Sequence, residues 1–211
     1  GAGDPKLVIE RAWLLLRRLQ QLGVREIRGD IVLDRSAFQV PEQNPADFDG
    51  EALRPYNVRA DALLLNYKSV SFTFTPDPAH GVAVISTEPA LAGVRADTRV
   101  PLAAGVGATQ CTDWRGALQA DFSDPQRLRF KGLYSPACGE KQWPVAYAEP
   151  ARYNERLLDG LWSEMGGKLG GSVRDGTAPA TPPTFELTSP TLAEVIRDIN
   201  KFSNNVMAQQ L

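Results

Sequence analysis

The chain has 211 residues, a length that suits one large domain or two modest ones, and 43% of them are hydrophobic, enough for a substantial core. Its 23 Lys and Arg against 25 Asp and Glu leave a net charge of −2, which excludes a nucleic-acid partner and a polybasic membrane surface. The longest purely apolar run, residues 12–16, is far below the ~20 residues that cross a bilayer, so the sequence predicts no transmembrane segment.

The first elements are a helix and a strand. Asp4-Pro5 combines a good N-cap with Pro at the first helical position, and apolar residues follow at helical spacing until Gly23, which predicts a helix over residues 5–22. Alternating residues from 27 to 33 then predict a strand. A helix followed at once by a strand favours a mixed α/β or α+β fold.

The middle of the chain is predicted to be rich in strands. Residues 38–55 are rich in Pro, Asn and Asp without periodicity and predict a loop. After Lys68 the apolar residues alternate, which predicts a half-buried strand with Val70, Phe72 and Phe74 on its buried face. Shorter strands are predicted at residues 82–85, 94–100 and 128–133.

The last third turns helical. An apolar stripe predicts a helix over residues 150–165 that ends at Gly166, and the Ala-, Pro- and Thr-rich residues 177–183 predict a linker. A further helix is predicted to start at Ser189-Pro190 and to break at residues 201–205. One face of this predicted helix consists of Leu192, Val195, Ile196 and Ile199.

Cysteine and histidine usage limits the possible chemistry. Cys111 and Cys138 form a disulfide if the compartment is oxidising, and are otherwise two separate buried thiols. Without a Cys-x-x-Cys spacing or a second His, a zinc site is excluded, so no metal is expected. The single His80 lies in a Pro-rich turn and is interpreted as a solvated loop residue, not a catalytic base.

Other candidate groups receive structural interpretations. The carboxylates of Asp47, Asp49 and Glu51 lie in the predicted loop and are interpreted as a solvated surface. Trp143 and Tyr147 form either an aromatic platform for a ligand or, more commonly for such residues, part of the core. Neither a Gly-x-Ser-x-Gly elbow nor a phosphate-binding glycine motif is present, so no cofactor is expected.

One tripeptide, Ser203-Asn204-Asn205, has the Ser-x-Asn form of the second motif of the penicillin-recognising serine enzymes. The structural alternative is a Ser that caps a new helix. The surrounding residues decide between these interpretations, because residues 189–211 closely resemble the second-motif segment of the D-alanyl-D-alanine carboxypeptidase/endopeptidase family, the class C low-molecular-mass penicillin-binding proteins. Three other parts resemble that family in the same order: Gly3-Asp4-Pro5 with its helix, residues 24–38, and residues 61–67 with the strand that follows.

The resemblance implies a fold and a domain organisation. In that family, two inserted domains split a β-lactamase/transpeptidase-like α/β domain. We therefore expect an α/β and β-rich mixed fold, with residues 1–30 and 100–165 in one inserted domain and residues 31–99 in the second. Residues 166–211 would be part of the catalytic domain. The start without Met and the end at Leu211 inside an apolar pattern fit an internal piece of a longer protein.

The resemblance also implies roles for individual residues. Ser203 would pass a proton towards the leaving D-Ala nitrogen, and the Asn205 amide would hold the acyl-side amide of the substrate. Asn204 is a weaker candidate, and Lys201 would add positive charge. The implied partners are peptidoglycan stem peptides and β-lactams, outside the cytoplasmic membrane of a bacterium.

Two motifs of that family are missing from the sequence. No Lys has a Ser three residues before it, and none is followed by Thr-Gly or Ser-Gly. Cys138-Gly-Glu-Lys141 has a thiol at the right spacing, but a structural Cys is the preferred interpretation. We therefore expect the 211 residues alone to be inactive. A non-catalytic peptidoglycan-binding or scaffolding module stays open as the alternative, and the oligomeric state cannot be read from the sequence.

Overall fold

The computed structural model describes residues 1–41 and 44–211. Within them the α-helices are α1 (Ile9–Gln21), α2 (Trp114–Ala117), α3 (Pro150–Glu164), α4 (Leu192–Phe202) and α5 (Asn205–Gln210). The strands are β1 (Glu26–Ile27), β2 (Ile31–Leu33), β3 (Ser69–Asp77), β4 (Val82–Glu88), β5 (Arg95–Ala96), β6 (Arg99–Pro101), β7 (Ala120–Asp121), β8 (Arg127–Phe130), β9 (Lys141–Ala146), β10 (Lys168–Leu169) and β11 (Val173–Asp175). The expected mixture of helices and strands is confirmed.

The central sheet has four antiparallel strands in the order β6-β4-β3-β9. In β3, Val70, Phe72 and Phe74 are buried, as the alternation predicts, because successive side chains of a strand point to opposite faces. Phe72 lies opposite Thr87 on one neighbouring strand and opposite Trp143 on the other. The predicted strand-rich middle of the chain is confirmed.

Aromatic rings build the core beside β3. The rings of Phe72 and Phe74 each lie 5.1 Å from that of Phe130, centroid to centroid, in edge-to-face geometry. Tyr134 stacks on Phe74 at 5.5 Å, and Trp114 approaches Phe74 edge-on at 5.8 Å. Each such pair adds ~0.5–1.5 kcal/mol beyond the burial of its area. These rings belong to the main hydrophobic core of the molecule.

Two short parallel pairs join the first residues of the chain to its later part. β1 pairs with β10, and β2 pairs with β11. The single strand predicted over residues 27–33 is therefore wrong in one respect, because it is interrupted and its two halves have different partners. Asp30 lies in the interruption between β1 and β2. Its carboxylate accepts hydrogen bonds from Ser172 and from Arg174, which joins this interruption to the segment that contains β11.

Helix α1 starts later than predicted. Val8 is its N-cap, and Asp4 instead accepts a hydrogen bond from the backbone N–H of Lys6 and pairs with Arg11 at 2.8 Å. Asp4 and Pro5 are thus used by a turn that precedes the helix. Gly23 has a left-handed backbone (φ +92°) just past its end, as expected of a C-terminal cap.

Helix α3 agrees with its prediction, and Gly166, with φ +77°, follows its end. Helix α4 begins after Thr191, whose hydroxyl accepts the backbone N–H of Glu194 in a capping box, so the predicted start at Ser189-Pro190 is two residues early. The apolar face of α4 is mostly uncovered. Only Val195 of that face is buried, because the described residues leave Leu192 and Ile196 exposed.

The described part of residues 38–55 has no strand or α-helix, which agrees with the predicted loop, and a 3-10 helix begins at Pro55. Residues 42–43 lie outside the described residues. The expected domain limits stay a prediction. The central sheet hydrogen-bonds strands from residues 69–101 to the strand at residues 141–146.

Across residues 1–41 and 44–211, every helix is too short or too polar to cross a membrane.

Candidate functional site

The Ser-x-Asn tripeptide occupies the junction of two helices. Ser203 ends α4 with a left-handed backbone (φ 49°, ψ 45°), and Asn205 is the first residue of α5. Between them, the Asn204 carboxamide oxygen accepts the backbone N–H of Met207 at 2.9 Å, so Asn204 and not Ser203 caps the second helix. A left-handed backbone at a residue other than Gly costs ~1–2 kcal/mol, and such positions concentrate at functional sites.

The tripeptide presents two exposed side chains on a buried base. Ser203 and Asn205 are exposed, whereas Val206 and Met207 behind them are buried. Near the end of α5, the side chain of Gln210 forms hydrogen bonds with both the N–H and the carbonyl of Asp61. Its amide NH₂ donates to the Asp61 carbonyl at 2.6 Å, and its amide oxygen accepts the Asp61 N–H at 3.0 Å. This double hydrogen bond fixes α5, and with it the tripeptide.

A cavity of 540 Å³ opens beside Ser203. Tyr67 and Trp143 form apolar walls, and Arg115 contributes a cation that lies 5.6 Å from the Trp143 ring centroid. The Nε of Arg115 and the hydroxyl of Ser71 are buried here without a hydrogen-bond partner among residues 1–41 and 44–211. The Ser203 cavity therefore offers a hydroxyl, a guanidinium and aromatic walls to a ligand.

Tyr67 links this cavity to the tripeptide. Burial raises the pKa of the Tyr67 phenol, and a hydrogen bond with Asn204 opposes that shift. The Tyr67 backbone is left-handed (φ 50°), as are those of its neighbours Asn66 and Lys68. The turn around Tyr67 is therefore constrained, and the phenol stays protonated at neutral pH.

Asn205 opens on a second cavity, of 630 Å³. Phe48 and Asp47 line it, and Tyr56 lines both this cavity and that of Ser203. Ser203 and Asn205 thus face neighbouring spaces that share one wall. An extended ligand would have to pass Tyr56 to contact both side chains.

Asp49 positions that wall. Its carboxylate accepts the Tyr56 hydroxyl at 2.7 Å and the Asn57 amide at 2.7 Å, and the hydrogen bond from Tyr56 is the main cause of the lowered pKa of Asp49. The interpretation of Asp47, Asp49 and Glu51 as a solvated loop surface holds for their exposure. That interpretation missed the hydrogen bonds of Asp49 to Tyr56 and Asn57, because the residue spacing in the loop does not indicate them.

Lys201 points to neither cavity. It is exposed, and its ammonium lies 5.2 Å from the ring centroid of the adjacent Phe202. It is absent from the residues that line the spaces beside Ser203 and Asn205. In this structure its contribution to the site is limited to long-range charge.

The remaining candidates take structural positions. Cys111 and Cys138 form a disulfide with their Cα atoms 4.8 Å apart, so Cys138 has no free thiol to act as a nucleophile. His80 is exposed in the turn after β3, where its Nδ1 lies 2.7 Å from the Asp77 carboxylate. Trp143 makes edge-to-face contacts with Trp114 and Phe122 in the aromatic core and also lines the Ser203 cavity. The Tyr147 hydroxyl donates to the Pro125 carbonyl.

A buried charge cluster lies behind the site and was not found from the sequence. One oxygen of the Asp61 carboxylate accepts from Lys68 and from Arg35, each at 2.6 Å, and Arg35 also pairs with Asp175 at 3.0 Å. Lys68 is only 8% exposed. A single Lys after a hydrophobic stretch gives no signal of such burial.

Comparison with known proteins gives a family and a fold. The sequence model of the D-Ala-D-Ala carboxypeptidase 3 (S13) family matches residues 1–211. The chain is similar to the crystal structure of penicillin binding protein 4 (dacB) from Haemophilus influenzae, with a TM-score of 0.66 and 20% sequence identity. That similarity covers 99% of this chain and 45% of the other.

A second structure of the same Haemophilus influenzae protein, complexed with a novel β-lactam, matches with a TM-score of 0.58 and 19% identity, over 99% of this chain and 43% of that one. The chain thus spans less than half the length of these structures, and at such identities the likeness shows the fold alone. No curated protein matches the chain significantly.

Proposed function

Because the chain belongs to the D-Ala-D-Ala carboxypeptidase 3 (S13) family, we propose that the complete protein is a serine-type D-alanyl-D-alanine carboxypeptidase/endopeptidase. Its substrates are peptidoglycan stem peptides, and β-lactams acylate it. The observation that carries this proposal is the match of the family model over residues 1–211, a range that includes the exposed Ser203 on its left-handed turn.

The proposed reaction has two steps. A serine hydroxyl outside these 211 residues adds to the penultimate D-Ala carbonyl, and the C–N bond breaks to leave an ester on that serine. Water then hydrolyses the ester. Expulsion of D-Ala needs a proton on its nitrogen as the tetrahedral intermediate collapses, and in this proposal Ser203 passes on the proton that the attacking serine gives up.

The geometry supports these roles for the tripeptide. Asn204 satisfies the first turn of α5, which leaves the Ser203 hydroxyl free of a capping bond. The exposed Asn205 amide has both a donor and an acceptor, as orientation of a peptide unit requires. Fixing the substrate in this way is itself a source of rate acceleration.

Two missing motifs limit what these 211 residues can do by themselves. They contain neither Ser-x-x-Lys nor Lys-Thr-Gly. We therefore infer that the isolated chain does not turn over substrate.

We place the protein outside the cytoplasmic membrane of a bacterium. The disulfide between Cys111 and Cys138 supports that placement, because disulfides persist in oxidising compartments. Peptidoglycan stem peptides are found in the same space.

Substitution of Ser203 tests the proposal in the complete protein. Ser203→Ala is expected to lower the turnover of a D-Ala-D-Ala peptide by about 10²–10⁴ if the hydroxyl moves a proton in the transition state. Ser189→Ala is the matched control, because this exposed serine precedes α4 and lies outside both cavities. Release of D-Ala is the measurement.

Fluorescent penicillin separates the alternatives. The complete protein should become covalently labelled and the 211-residue chain should not. Labelling of the isolated chain at Ser203 would contradict the proposed role of that hydroxyl. A complete protein that takes no label but is retained by purified murein would instead be a non-catalytic binding module.

A further inference from the structure

A third cavity, of 710 Å³, borders the Asn205 cavity through Arg59. Its walls are largely apolar and include Phe38, Leu53 and Val58. Its volume lies within the ~300–1,000 Å³ typical of small-molecule sites. Neither Ser203 nor Asn205 lines it, so the function proposed above does not use this space.

The charges that line this cavity are unbalanced. Arg35, Arg59 and Lys68 contribute three cations, and Asp61 is the one carboxylate among the lining residues that the structure describes. Asp61 is shared by Lys68 and Arg35, each at 2.6 Å from the same oxygen, and Asp175, which does not line the cavity, also pairs with Arg35 at 3.0 Å. Two carboxylates thus oppose three cations among the described residues, which leaves one positive charge. The part of the lining that lies in residues 1–41 and 44–211 is therefore electropositive, with apolar walls.

Two guanidinium groups here have unused donors. The NH2 nitrogen of Arg35 and the Nε of Arg59 are buried and have no hydrogen-bond partner among residues 1–41 and 44–211. Arg59 uses its NH2 nitrogen to donate to the backbone carbonyls of Val40 and Pro41. A buried donor without a partner is unfavourable, and the planar guanidinium matches the two oxygens of a carboxylate.

We propose that this cavity binds an organic carboxylate with an apolar body. The carboxylate accepts hydrogen bonds from Arg35 and Arg59, and the body lies against Phe38, Leu53 and Val58. The carboxylate belongs either to a free small acid or to the C-terminus of a short peptide. This binding is non-covalent and independent of the proposed acyl-enzyme chemistry.

Calorimetric titration of the 211-residue chain tests the proposal with three probes. N-acetylphenylalanine carries the carboxylate on an apolar body, its amide lacks the charge, and N-acetyl-Ala-Ala-Phe presents the same carboxylate on a peptide. We expect at least one acid to bind about tenfold or more tightly than the neutral amide. The tighter of the two acids identifies the source of the carboxylate.

Two variants locate the binding. Arg59→Met should weaken the tighter acid by about tenfold or more, because it removes the charge and the unused donor. Arg54→Met is the matched control and should leave the affinity unchanged, because Arg54 pairs with Glu51 at 3.7 Å and does not line this cavity. Circular dichroism establishes that each variant is folded.

Three results would overturn the proposal. They are equal affinity for acids and amide, no acid binding up to about 10 mM, and unchanged acid binding by folded Arg59→Met. If that variant does not fold, the comparison of acid with amide on the unaltered chain still decides. Labelling of the complete protein by penicillin is scored separately, so failure of this site and failure of the proposed function are distinguishable.

Discussion

The central sheet and the α4–α5 segment are held in place by different interactions. β3 is hydrogen-bonded along both edges, and Phe72 and Phe74 are fully buried against other rings. Helix α4 buries only Val195, while Leu192 is 60% exposed. The sheet is stabilised by apolar packing, and α4 has little of it within the described residues.

Polar contacts take the place of packing in the α4–α5 segment. Lys6 forms an ion pair with Asp198 of α4, and Gln210 of α5 is hydrogen-bonded to the Asp61 backbone. Such contacts fix position and direction but contribute modestly to stability. The molecule thus separates the region that provides stability from the segment that carries the candidate chemistry, and substitutions should affect the two differently.

Removal of a ring from the sheet should have the largest effect on stability. Phe74→Ala is expected to lower the free energy of unfolding by about 3–5 kcal/mol, through lost burial and the cavity left behind. Chemical denaturation followed by circular dichroism measures it. The control Phe48→Ala should change stability by about 0.5 kcal/mol or less, because Phe48 is 76% exposed. Equal losses in the two variants would refute the assignment of stability to the sheet.

The tether of α5 should give a smaller and local effect. Gln210→Leu leaves the buried N–H and carbonyl of Asp61 without partners, at a cost of about 1–3 kcal/mol. Hydrogen exchange should become faster in α5 and stay unchanged in β3. Gln209→Leu, at an exposed position of the same helix, is the control. Uniformly faster exchange across the sheet would show that the two regions are not separate.

Loss of the α4 cap should have an effect of about 1 kcal/mol. Thr191→Ala removes the hydroxyl that accepts the Glu194 N–H and dissolves the capping box. We expect faster amide exchange in the first turn of α4, with no change in the denaturation midpoint of the sheet. Thr184→Ala, in the exposed segment before the helix, serves as the comparison. An unchanged exchange rate at Glu194 would contradict the cap.

Acid should loosen α4 by the smallest amount. The ion pair with Lys6 is the main cause of the lowered pKa of Asp198. A lowered folded-state pKa means that the contribution is complete above the ordinary Asp value of ~3.9 and is lost as the pH falls through the folded-state value. An NMR titration of the Asp198 carboxyl carbon should therefore have its midpoint below ~3.9. A midpoint at or above that value would contradict the pairing, and Lys6→Met should move the midpoint upward.

The sequence predicts the helices and strands of this fold better than it predicts which of them pack or pair with each other. Alternation identifies β3 and its buried residues, and Gly23 and Gly166 mark the ends of two helices, because these signals are local. The buried face of α4 could not be predicted, because amphipathic spacing states which side is apolar but not what covers it. Asn204 took the capping role that the pattern alone would also allow for Ser203.

The candidate site is predictable only at its surface. Ser203 and Asn205 can be named from a tripeptide and its context. The hydrogen bonds that hold α5 in place could not be predicted. They join the Gln210 side chain to the backbone of Asp61, which lies 149 positions away in the sequence. The shared wall at Tyr56 and the buried charge of Lys68 likewise depend on how distant loops meet, which neither spacing nor composition records.

The parallel pairing of β2 with β11 also has a consequence for the order of folding. Asp30 and Ser172, which meet beside this pair, are 142 positions apart. Closing so long a segment of unfolded chain is entropically costly, whereas the β3–β4 hairpin closes over a few residues. We therefore expect the β3–β4 hairpin to form early. The β2–β11 pair, which joins the early part of the chain to residues 173–175, should form last, after the central sheet has folded.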